Sequence, residues 1–298
     1  MATLEELKAR EIPGVATFVN RAGLAALEIT HPVAGGVVFL HGAHVASYTP
    51  TGQRDVLWMS GKSVYADGKA IRGGVPICFP WFGPKADNAA APIHGTARLR
   101  VWQLEALASS AAGVSVTLVL RSNAADRAFF PHAFELRQRI TLGASLRMEL
   151  DLLNTGATPA TFGEALHSYF AVSDVRNIRI DGLDGVEYLD KVDGGKRKRQ
   201  AGAITITGET DRPYLGTTHT TTITDPGYAR RISIEKSGSQ TTVVWNPWAA
   251  KAKAMADFGD DEWPGMLCVE TANAVENALT LAGGARHVMV ATIRAEKI

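Results

Sequence analysis

From Gly23 onward, short runs of β-branched and apolar residues in partial alternation are broken roughly every 8 to 12 residues by Gly, Pro, Asn or Asp. Val114–Leu120, Phe134–Ile140, Leu146–Leu152, Arg231–Glu235 and His287–Ile293 are examples. About 15 or more such runs follow one another with few helical stretches between them, a succession that predicts antiparallel sheets packed face to face. One helix is well signalled: Asn246 as cap, Pro247 at the first helical position, good helix formers from Trp248 to Ala256, and Gly259 to close it. The opening Met1–Glu11 is charged and helix-like, and the basic run Lys196–Arg199 after Gly194-Gly195 reads as a solvated hairpin tip. No internal repeat or linker-like shift in composition interrupts the pattern, so residues 1–298 are expected to form one all-β domain with a few short helices.

Composition narrows the functional classes. With 46% hydrophobic residues, a chain of 298 has material for a large core without covalent staples. Thirty-one basic residues against 30 acidic ones leave a formal charge of +1, which gives no overall field for collecting nucleic acid or an anionic membrane. An anionic substrate must therefore be met locally. The two cysteines, Cys78 and Cys268, give neither a disulfide framework nor a zinc spacing and suit a reducing compartment. Met1–Glu11 lacks the apolar run of a secretory signal, and nowhere do about 18 apolar residues run uninterrupted. A soluble, cytoplasmic protein, with nothing demanding more than a monomer, is the expectation.

Two titratable residues stand inside otherwise apolar strands: His167 in Glu-Ala-Leu-His-Ser-Tyr-Phe and Glu270 in Leu-Cys-Val-Glu-Thr-Ala-Asn. Each could be a buried, hydrogen-bonded structural group. Held together in a partly dry cleft, however, an imidazole and a carboxyl can move two protons in one step, which points to acid/base chemistry. The Gly- and Pro-rich segment Ile71–Pro84 sets Arg72 before two glycines that permit close backbone approach, so its fork is available to hydroxyls, a carboxylate or a phosphate, or to a structural partner. In Pro92–Arg98, His94 and Arg98 flank a glycine and can enter the same cleft. Asp211 sits in a polar segment where turn formation alone would explain it. Trp245 and Trp248 flank a Pro; sugar C–H faces pack on such indoles, and Trp248 is the one expected to do so while Trp245 fills core. His41 and His44, three apart, face opposite sides of a strand and read as structural.

These blocks together resemble the aldose 1-epimerase (mutarotase) superfamily and, within it, the glucose-6-phosphate 1-epimerase branch. The resembling segments are Ile71–Pro84, His94–Arg98, His167–Phe170, Asp211-Arg212, Trp245–Phe258 and the Glu270 strand, in the family's order. The resemblance implies a galactose-mutarotase-like β-supersandwich with an open cleft, a sugar-phosphate partner, and catalysis without metal or organic cofactor. It implies His167 as general acid, Glu270 as general base, and Arg72, His94 and Asp211 as sugar-holding residues; Arg72 and Arg98 are the candidates for the phosphate clamp, either of them being the one that meets the phosphate while the other orders Glu270 or a hydroxyl. Ring opening and closure would use each catalytic group in both protonation states, favouring a His near about 6.5 and a Glu raised toward it by burial. Both must reach oxygens on one carbon, so their tips must lie within about 9 Å of each other. A non-catalytic sugar-binding sandwich and a mutarotase for unphosphorylated aldoses are the competing readings.

Overall fold

A computed structural model describes residues 2–298. Its strands form two eight-stranded antiparallel sheets, a four-stranded antiparallel meander over residues 16–50 and a two-stranded ribbon. The backing sheet runs in the order Arg179–Asp181, Thr221–Asp225, Arg230–Ser237, Arg286–Lys297, Leu146–Asn154, Phe134–Gly143, Gly113–Arg121 and Gln103–Ser110. The second, the cleft sheet, runs Lys196–Arg199, Glu187–Asp190, Thr210–Leu215, Thr241–Asn246, Met266–Asn273, Glu164–Leu166 and Ile77–Cys78, with Tyr169–Ala171 also paired to Met266–Asn273. The five strands singled out in the sequence all form, each extended by one to four residues at its ends.

Alternation explains the packing. Leu146, Met148, Leu150 and Leu152 are buried and the residues between them are not, so this strand turns one face inward. They share a single core with Leu166, Phe170, Val244, Leu267 and Val269 of the cleft sheet. Thr241–Asn246 and Met266–Asn273, by contrast, are buried at every position. Their second face is covered too, and that face carries the cleft.

Local departures from expectation have local causes. Asn123 and Asp126 form a reciprocal capping box that starts a helix at Ala124–Phe129, a signal present in the sequence and not used above. The expected helix is shorter, Trp248–Ala254; Asn246 Oδ1 accepts from the Trp248 N–H, and Pro247 stands just before the first turn. Gly259 lies beyond its end, donating to Ser60 Oγ. Asp211 belongs to a strand rather than a turn. The run Lys196–Arg199 is itself a strand, and its cations pair with Asp193, Glu276, Asp190 and Glu187. Those carboxylates neutralise the run, leaving it no claim on nucleic acid.

Candidate active site

Strand register assembles the site. Antiparallel partners project to the same face. Asp211 pairs with Trp245, Trp245 with Cys268, and Cys268 with Tyr169, so these four side chains form one row across the cleft sheet. The next row on that face holds Val243 opposite Glu270. Pairing to the Glu270 strand is interrupted after Leu166 and resumes at Tyr169 in unchanged register, which sets His167 across from Glu270. At the break the His167 N–H donates to the Pro76 carbonyl instead, 3.0 Å away. The result is a His167 Nε2 to Glu270 Oε1 separation of 3.4 Å, with both side chains buried.

The loops over this face are shaped by glycine. Gly73 and Gly74 have φ of +107° and +57°, and a Cβ on either would collide with the backbone at Trp58–Met59 or Val45. That close passage aims Arg72 into the cleft. Asp257 Oδ2 accepts from Arg72 Nε at 3.2 Å and from Nη2 at 3.0 Å, and Tyr169 Oη accepts from Nη1 at 2.8 Å. An N–H on each terminal nitrogen is left for a ligand. His94, at φ +65°, accepts from the Gly83 N–H on Nδ1 at 3.1 Å, so its neutral ring carries the proton on Nε2. Arg98 donates to the Ile93 carbonyl at 2.8 Å, and its buried Nε has no protein partner.

The cleft encloses about 470 Å³ between these residues and Lys191, Lys251 and Trp245. It brings together His167, Glu270, Arg72, His94, Arg98 and Asp211. Trp248 is not among its lining residues. At the start of the helix its indole turns onto Trp263, with ring centroids 4.2 Å apart, and Trp245 occupies the cleft row instead. Trp245 fills core beside Tyr169 and Phe258, as expected, and also lines the cleft, whereas Trp248 falls outside the lining because the chain bends after Asn246. Three contributors had escaped notice. Tyr169 and Asp257 grip Arg72, and Lys191 reaches to 4.0 Å from Asp211 Oδ1. Asp257 lies within the resembling block Trp245–Phe258; Lys191 follows a hairpin strand and carries no local signal.

The electrostatics oppose free charge on the central pair. Burial, then the cationic Arg98 and Arg72, hold His167 well below the ordinary imidazole range. Burial, then the neighbouring Asp211, raise Glu270 well above the carboxylate range. The expected rise of the Glu is present; an imidazole near its ordinary value is not, because burial and then two facing guanidiniums disfavour its charged form. Asp211 is itself raised by burial and opposed by Lys191. Both shifts favour the neutral carboxyl and the neutral imidazole over the ion pair.

An antiparallel supersandwich with a buried His–Glu pair at its cleft is the architecture of a mutarotase-like protein. The aldose 1-epimerase family profile matches residues 26–294, and the chain belongs to that family. It is 38% identical over 257 residues to a protein of Cenchrus ciliaris, covering 83% of this chain and 77% of that one, and 37% identical over 249 residues to one of Escherichia coli K12, covering 83% of each. Both carry the provisional name glucose-6-phosphate 1-epimerase. A crystal structure of a provisionally named mutarotase from Salmonella typhimurium superposes with a TM-score of 0.91 at 33% identity, covering 97% of this chain and 96% of that one. The enzyme interconverts sugar anomers, and among the described residues no helix is long and apolar enough to cross a membrane.

Proposed function

We propose that the substrate is a hexose 6-phosphate, glucose 6-phosphate first, and that His167 and Glu270 exchange the protons. The observation that carries the reading is their 3.4 Å approach at the floor of a cleft lined by four cations, Arg72, Arg98, Lys191 and Lys251, against two carboxyl groups, Asp211 and Glu270. The names of the relatives point to the same substrate.

In this reading the phosphate dianion settles between the arginines and offsets the cationic field that adds to burial in depressing His167. The proton then passes from the carboxyl to the imidazole, giving the carboxylate and imidazolium that the reaction needs. Glu270 takes the proton of the anomeric hydroxyl, His167 donates one to the ring oxygen, and the bond between that oxygen and the anomeric carbon breaks. Rotation about the bond between the first two carbons presents the other face of the aldehyde. Closure reverses both transfers and inverts the anomer. His94 Nε2–H and Asp211 hold sugar hydroxyls, and Trp245 offers its ring to the sugar C–H face. Arg98, half-buried without a carboxylate partner, is the stronger phosphate ligand, and Arg72 is the pre-oriented second one.

Two further placements support each other. The main core runs from Leu7 to Ala295, which suits a single folding unit, and the buried free thiols Cys78 and Cys268 suit the cytoplasm. Exchange NMR on glucose 6-phosphate and on glucose tests the substrate. The phosphorylated sugar should exchange faster at equal concentration; equal rates would assign the cleft to unphosphorylated aldoses, and no acceleration of either would leave a binding protein.

A further inference from the structure

Tyr169 makes two contacts that a core-filling aromatic has no need of. Its ring lies parallel to the His167 imidazole, centroids 4.7 Å apart at 10°, and its hydroxyl accepts from Arg72 Nη1 at 2.8 Å. Trp58 stacks on it at 5.8 Å, and the Trp245 indole meets it edge-on at 6.0 Å. The main chain is equally constrained. The Tyr169 N–H donates to the Gly74 carbonyl at 2.8 Å, and its own carbonyl accepts from the Trp58 N–H at 3.0 Å. Gly74 follows Arg72 by two positions, and Cys268, paired with Tyr169, precedes Glu270 by two. One side chain thus touches the group that meets the anion and the group that moves the proton. Burial holds its phenol in the protonated form, so the hydroxyl stays neutral beside the guanidinium.

We propose that Tyr169 is a positioning residue with two separable duties: its ring fixes the plane of the His167 imidazole, and its hydroxyl fixes the reach of the Arg72 guanidinium toward the anionic group of the substrate. The second duty rests on the hexose 6-phosphate reading; the first does not. A pure core role would make ring and hydroxyl fail together. Separate duties make them fail apart.

Anomer-exchange kinetics on glucose 6-phosphate and on glucose, across roughly pH 5 to 9, for wild type, Tyr169→Phe and Tyr169→Leu, test the proposal. Tyr169→Phe keeps the ring and loses one hydrogen bond to a charged group, so KM for glucose 6-phosphate should rise about tenfold, kcat should fall far less, and the pH profile should stay in place. Tyr169→Leu should also lower kcat and move the imidazole limb of the profile upward, because water reaches a ring no longer covered. An unchanged KM in Tyr169→Phe overturns the hydroxyl's duty. A wild-type pH profile in Tyr169→Leu overturns the ring's. Should Tyr169→Leu fail to fold, Tyr169→Phe still decides, since a pure core role predicts no split between KM and kcat. A wild-type chain that handles glucose as well as its 6-phosphate sinks the substrate reading and the hydroxyl's duty with it, while the profile on glucose still decides the ring's.

Discussion

Asp257 holds Arg72 across 185 positions of sequence, accepting from both Nε and Nη2 and so fixing which guanidinium edge faces the cleft. The side chains are only 19% and 27% exposed, so solvent screens the pair incompletely. Asp257→Asn should raise KM for glucose 6-phosphate about tenfold, equivalent to about 1.4 kcal/mol of binding, and lower kcat less. Initial-rate kinetics check this. An unchanged KM would mean that Arg72 plays no part in holding the substrate.

Arg98 should show a conflict between stability and function. Its side chain is half-buried with a buried, unpartnered Nε, and desolvation depresses its pKa. Arg98→Met removes a half-buried cation that has no carboxylate partner and should raise Tm. The same change should abolish the gain in Tm that inorganic phosphate gives the wild type, because a ligand stabilises only the fold that binds it. Thermal melts with and without phosphate read both effects.

Glu164 should govern stability on the alkaline side. It is fully buried, and its pKa is raised by burial to about 8, against the bond its Oε1 accepts from Asn273 Nδ2 at 2.8 Å. The folded chain therefore holds this proton more tightly than the unfolded chain. Its stabilising contribution is complete below the ordinary carboxylate range and is lost as pH rises toward 8. Glu164→Gln keeps an oxygen for Asn273 and cannot ionise. The variant should match the wild type in acid, exceed its Tm near pH 8, and flatten the decline between. A variant with the wild-type slope would clear Glu164 of responsibility.

Much of this molecule is legible in its sequence where one face of a strand is wet. Leu146–Asn154 alternates strictly, and its start and inward face followed from that, though the strand runs two residues past the expected Leu152. Thr241–Asn246 and Met266–Asn273 are covered on both faces, so alternation vanishes where the site lies, and only the polar oddity of Glu270 marks it. His167 was found in the same way. What local pattern cannot supply is register: the row Asp211, Trp245, Cys268, Tyr169 spans four strands, and no spacing within one strand encodes it. Tyr169 went unnoticed for that reason, and Asp257 and Lys191 reach the site from outside the strands, where no register applies. Trp248 was misplaced because the bend after Asn246 redirects its indole.

The account stands on proton exchange between His167 and Glu270, and Glu270→Gln addresses it directly because the amide keeps the shape of the carboxyl and cannot act as a base. Saturation-transfer NMR on glucose 6-phosphate, with Tm measured alongside, is the measurement. A folded variant whose anomer exchange falls by at least about 100-fold is the predicted result; a folded variant exchanging at close to the wild-type rate would contradict it.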